Sequence, residues 1–238
     1  MLSVAKNSPL GFTRVTSQAD TLQCWAIAIA SEMDTEASRI AGHPLKTSPR
    51  YLFYVKTLDE VANLIVTGDF TKHQGSVCEK CQDGPIYYEQ GGSLPDAVEA
   101  MSKRGMVPEQ AYPGFIKNDE NLFVALNTLI GKYESNPRMP RNKPSVTANV
   151  AQLISHFLGK PPQAFTFNGK RYTSHEFANA YLPSWRGDKA IELDFSAGGK
   201  KSKSVATAYD GKTFTSYVTN NRADVIEALA QSLAAGRR

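Results

Sequence analysis

Histidine is scarce in this chain, four in 238 residues, and cysteine is scarcer, at three. So few cysteines, odd in number, do not make the dense disulfide framework of a small secreted scaffold. No apolar run approaches the roughly eighteen residues needed to cross a bilayer, so no membrane partner is expected. Charge of one sign is also lacking: the formal net charge is +4, too mild to argue for nucleic acid. The densest basic run, GGKKSKS (Gly198 to Ser204), reads as a solvated loop rather than a phosphate-binding patch. No internal repeat is present, which excludes a solenoid or propeller. The N-terminal run MLSVAKNSPLGF has one lysine and no apolar segment, so it is not read as a secretory leader. The expected location is the cytoplasm, or outside the cell by a route needing no such leader. The 23 residues before Cys24 are too few for a folded inhibitory pro-segment.

What is present describes a soluble globular protein, with 41% hydrophobic and 21% charged residues. The length allows one large domain or two small ones. Cys78 and Cys81 form a CxxC with His73 five residues upstream. This reads as a zinc half-site, a redox pair or a local disulfide. A structural zinc site takes four ligands and only three candidates lie here. A thioredoxin-type pair opens a helix after a strand, whereas this one sits in a loop rich in Gly, Asp and Pro. A plain loop pair is the simpler reading, and no metal or other cofactor is expected.

Punctuation along the chain predicts helices first and β-rich pairs later, an α+β fold with a segregated helical half. Residues 3–17 read as extended. A helix from Cys24 to about Arg39, apolar nearly all round at its start, is expected to be buried and to end at Gly42 and Pro44. Ser48-Pro49 signals the next helix, with Tyr51, Leu52, Tyr54, Leu58, Val61 and Leu64 at helical spacing. Gly68 to Gly84 reads as a polar loop. Ser93 opens a helix carrying Ala97, Val98 and Met101 and ending at Gly105, and MVPEQAYP reads as its extended exit. Leu122 to Tyr133 forms a further helix, Asn136 to Pro144 a basic proline-rich linker, and Val150 to Leu158 a short helix. Asn168-Gly169 and Asp210-Gly211 predict hairpin turns. A short helix is expected near Glu176, and a last one, capped by Asn221, places Val225, Ile226, Leu229 and Leu233 on one face.

The run QADTLQCW precedes the apolar stretch AIAIASEM, and its Gln18 and Cys24 lie six residues apart. A thiol acts as a nucleophile only as thiolate, and a helix N-terminus favours that form with its partial positive charge. An acyl intermediate also needs a preorganised donor for its oxyanion, which a nearby side-chain amide and the cysteine's own N–H supply. Trp25, the next residue, would cover such a site. The plainer alternative is a small buried cysteine capping a core helix. The glutamine, the spacing and the Cys-Trp pair together favour the nucleophile.

These residues resemble papain-like cysteine peptidases, and most the bleomycin hydrolase and aminopeptidase C branch. The nucleophile motif of that family is matched at Gln18, Cys24 and Trp25. SPRYLFYVKTLDEVANLI (Ser48 to Ile65) is similar to the branch's Tyr-Leu-Phe-Phe helix, and QGGSLPDAVEAMSKRGMVPEQAYP (Gln90 to Pro113) to its Gly-Gly segment and following helix. ISHFLGKPPQAFTF and YTSHEFANAYL are similar to the branch's Leu-Gly-x-Pro-Pro stretch and Thr-Pro-x-Glu-Phe helix start. The resemblance implies a helical left-hand domain carrying Cys24 over residues 1–115. Residues 116–238 would supply an insertion and the start of the β-rich right-hand domain. It implies Cys24 as nucleophile, Gln18 as oxyanion donor, and Gly91 and Gly92 as backbone that pairs with an extended peptide or protein substrate. The branch is cytosolic and controls access by a chamber of several subunits.

Acyl transfer of this kind also needs a histidine base and an Asn or Asp to orient it. Family order makes only His156 and His175 eligible. His156 follows Cys24 within the roughly 130–150 residues typical of papain-like enzymes, but it lies in a helical run, whereas the family's base opens a strand. His175 sits at a helix start, where a polar residue serves capping. His43, before Pro44 in a turn, reads as structural, and His73 as a loop residue. The last helix resembles the one that precedes the family's catalytic strand. The histidine and asparagine are therefore expected outside these residues, on a longer chain or a second one. The alternatives are an inactive papain-fold binding module and a papain-fold deamidase or transferase.

Overall fold

The computed structural model describes residues 23–71, 85–114, 120–185, 193–194, 202–207 and 213–218, with 226, 227 and 230 near the C-terminal end. Six helices dominate these residues: α1 (Cys24–Ala41), α2 (Pro49–Thr67), α3 (Leu94–Arg104), α4 (Glu120–Ser135), α5 (Lys143–Leu158) and α6 (Ser174–Tyr181). A hairpin of β1 (Phe165–Phe167) and β2 (Lys170–Tyr172) precedes α6. A separate sheet has β4 (Ser202–Thr207) antiparallel to β5 (Thr213–Val218), with β3 (Leu193–Asp194) parallel to β5 on its other side. The class is α+β.

α2 is the spine of the helical part. Every residue from Tyr51 to Leu58 is buried, so this part of α2, more than α1, is enclosed on all sides. Its start is fixed by Ser48, whose hydroxyl accepts from the Tyr51 N–H at 3.0 Å and donates to the Tyr112 carbonyl at 2.7 Å. With Pro49 at the first turn this is the N-terminus read from the sequence. α1 is tied to the chain entering α2 by a buried carboxylate: Asp34 accepts from the Thr47 N–H at 2.6 Å and the Thr47 hydroxyl at 2.8 Å. Burial pushes the Asp34 carboxyl up from 3.8 to about 6, against those hydrogen bonds, which lower it. α5 lies along α2, with the Tyr54 hydroxyl donating to the Ala151 carbonyl at 3.2 Å. α3 is joined to α2 by the Arg104–Asp59 ion pair and by the Tyr51 hydroxyl on the Arg104 carbonyl at 2.8 Å.

The strand-like segment after residue 85 is held by Asn127 of α4. Its Oδ1 accepts from the Tyr87 N–H at 2.7 Å and the Tyr88 N–H at 3.0 Å, and its Nδ2 donates to the Tyr88 carbonyl at 3.2 Å. Ser93 and Asp96 form a capping box at the start of α3, which ends at Gly105. There φ is +72°, and a Cβ would lie 2.4 Å from the Ser174 carbonyl carbon.

Several boundaries differ from the sequence reading. α5 begins at Lys143, with Asn142 as N-cap and Pro144 in its first turn, so the end of the expected linker is helix. Proline is tolerated there because the first-turn N–H groups have no intrahelical partner. The MVPEQAYP exit bridges Thr47 at Pro108 and then tightens into a 3-10 turn, Glu109–Ala111. Ser202, Lys203 and Ser204, read as loop, belong to β4. Leu64 is only half-buried and Ile226 is exposed. The Asn168-Gly169 turn has both φ values positive, as its sequence predicts. Residues 3–17, most of the 68–84 loop with His73, Cys78 and Cys81, the 210–211 turn, and Asn221, Val225, Leu229 and Leu233 lie outside the described residues. No described helix is long and apolar enough to cross a membrane.

Candidate active site

Cys24 is the first residue of α1 and is exposed, whereas Trp25, Ala26 and Ile27 behind it are buried. Such a position leaves the Cys24 N–H as one of the helix's unpaired terminal donors, and no hydrogen bond among the described residues uses it. The thiol therefore stands at the positive end of an 18-residue helix, beside an amide that no hydrogen bond among the described residues uses. Gln18 lies outside the described residues. Gln23, immediately before the thiol, is fully buried, and neither its Oε1 nor its Nε2 has a hydrogen-bond partner.

Trp25 does not lie exposed over the thiol. At 7% exposure its indole packs in the core, with the Phe53 ring at 6.5 Å between centroids, and Nε1 donates to the Gln90 carbonyl at 3.1 Å. This bond fixes the Gly91–Gly92 segment against α1. Gly92 rests on the indole so closely that a Cβ would lie 2.5 Å from a ring carbon. Gly91 is exposed, and a Cβ there would meet nothing within 4 Å. Its carbonyl accepts from Lys56 Nζ at 2.5 Å, while no hydrogen bond among the described residues uses the backbone of Gly92. The site thus combines an exposed thiol with an open stretch of backbone, joined through the Trp25 side chain.

None of the three described histidines is linked to the first turn of α1 by a described hydrogen bond or ring contact. His43 lies past the far end of α1, roughly 27 Å along the helix axis from Cys24 at 1.5 Å per residue, and its Nε2 is 3.1 Å from the Asn168 amide. His156 and His175 are exposed, and His156 stacks edge-on with Phe157. Among the described residues no group of three His, Cys, Asp or Glu side chains is placed to hold a metal ion.

Sequence reasoning missed Lys56 and Gln90 because neither belongs to a catalytic motif. The available signal for Lys56 was one charge inside the apolar run YLFYVKTL.

No protein-family model matches the chain, and no curated protein matches it. Among solved structures it is similar to the crystal structure of PepW from Lactobacillus rhamnosis HN001, at 16% sequence identity and a TM-score of 0.61. The likeness covers 96% of this chain and 58% of PepW, so the chain spans less than two thirds of that structure's length. At that identity the likeness is one of fold.

Proposed function

We propose that this chain carries the nucleophile half of a papain-like cysteine peptidase of the bleomycin hydrolase type. The observation that carries the reading is the exposed Cys24 at the start of an otherwise buried helix, with the Gly91–Gly92 segment seated on the next side chain. The fold shared with PepW, a cysteine peptidase, supports it. Cys24 Sγ attacks the peptide carbonyl, and the Cys24 N–H with the Gln18 amide receives the developing oxyanion. Gly91 and Gly92 align the substrate backbone. The general base and the residue that orients it come from sequence beyond these residues or from a second chain.

The experiment is alkylation with iodoacetamide at neutral pH, followed by peptide mapping. Cys24 is expected to be modified faster than Cys78 and Cys81. Equal rates at the three thiols remove the case for an activated nucleophile. That no described hydrogen bond or ring contact links His43, His156 or His175 to the first turn of α1 favours a second reading, a non-catalytic module that binds extended peptide on the Gly92 backbone. Absence of any peptide turnover from a longer protein carrying a strand-opening histidine decides for that reading.

A further inference from the structure

Lys56 is 6% exposed in the middle of α2. Burying a charge there is costly, and an apolar side chain of similar volume would pack without that cost. Its surroundings explain its presence. Nζ pairs with Glu60 one turn on and donates to the Gly91 carbonyl at 2.5 Å. It stands 5.8 Å from the Trp25 ring centre and 5.5 Å from that of Tyr88. The segment is therefore held at three successive residues: Gln90 by the indole N–H, Gly91 by Lys56, and Gly92 by contact with the indole face.

The Gly91 carbonyl and the Gly92 N–H belong to one peptide unit. That unit is trans, so its oxygen and its hydrogen point in opposite directions. Holding the oxygen on buried Lys56 turns the N–H away from the helix. A hydrogen bond from an ammonium also polarises the amide, which makes the N–H a better donor. Gly91 has neither a left-handed φ nor a neighbour that a Cβ would strike. A glycine the chain itself does not require leaves room for another backbone to approach.

We infer that Lys56 is a positioning residue: by holding the Gly91 carbonyl it orients the Gly92 N–H to pair with the backbone of an extended peptide beside Cys24. This rests on the peptidase reading above. The test compares two thiol reagents on the full chain, iodoacetamide and a blocked dipeptidyl chloromethyl ketone. In the second, Sγ displaces chloride from the methylene, forming S–C as C–Cl breaks. The peptidyl reagent is expected to saturate, giving a Ki for reversible docking and a separate kinact. Lys56→Met should raise Ki about tenfold, the loss of roughly one hydrogen bond, and leave kinact and the iodoacetamide rate unchanged. Lys56→Arg should keep most of the docking. Circular dichroism checks folding. If Lys56→Met does not fold, Lys56→Met combined with Glu60→Gln, which leaves no carboxylate without its partner, is measured by the same Ki. Saturation with an unaltered Ki in the folded variant overturns the role of Lys56 and leaves the peptidase reading standing. No saturation in the wild type overturns both.

Discussion

Gly91 and Gly92 are adjacent and chemically identical, yet the structure assigns them opposite tolerances. At Gly92 an added methyl meets the Trp25 ring carbons at 2.5 and 2.6 Å, so Gly92→Ala must displace a core indole and should cost about 1–3 kcal/mol. At Gly91 the same methyl meets nothing, so Gly91→Ala should change stability by less than about 0.5 kcal/mol while weakening docking of the peptidyl reagent. Denaturant titration of both variants checks the contrast, and equal losses would sink it. Asp34 supplies a pH dependence. Burial raises its carboxyl from 3.8 to about 6, so the folded state binds the proton more tightly than the unfolded chain. Its contribution is complete below about pH 4 and is lost as pH rises through about 6, a change on the order of 3 kcal/mol. Asn cannot ionise, so wild type should lose stability relative to Asp34→Asn between pH 4 and pH 7. A pH-independent difference between the two proteins would contradict this account.

At the scale of elements, α2 carries the architecture, and the neighbours it needs are set by polar contacts as much as by apolar ones. Asn127 ties α4 to the segment that leads into Gly91, satisfying two backbone N–H groups and one carbonyl there. Asn127→Leu keeps the branched shape but removes these three hydrogen bonds, at a cost on the order of 3 kcal/mol. The change should also reach the site, since residues 87 to 92 are continuous with it. Thermal melting together with the Ki of the peptidyl reagent reads both effects. A stability loss with docking unchanged would show that the Gly91–Gly92 segment is held from α1 and α2 alone. Capping chemistry makes three of the six described helix starts legible: Ser48-Pro49, Ser93 with Asp96, and the region of Thr173 and Glu176. The start of α5 is hidden in the sequence because Asn142 and Pro144, a cap and a first-turn proline, look the same as a basic linker until the helix packs on α2.

For the whole molecule, the fold shared with PepW extends over 58% of that structure, and the nucleophile side of a peptidase is the part proposed here. A longer protein that supplies the histidine is expected to hydrolyse peptides, and Cys24→Ser in it should remove nearly all turnover, as measured by release of a fluorogenic leaving group. Retained turnover would place the nucleophile elsewhere. From the sequence alone came the helix order, the two hairpins, the nucleophile candidate and the absence of a convincing base, because caps, turns and hydrophobic period are local properties of the chain. Three features needed the tertiary structure. The enclosure of residues 51–58 of α2 depends on helices up to a hundred residues away in sequence, such as α5. The inward turn of Trp25 depends on the Gln90 carbonyl, and the assignment of Lys56 to the Gly91 carbonyl on a contact 35 residues distant. Periodicity shows which face of a helix is apolar; only packing determines what a buried charge is held against.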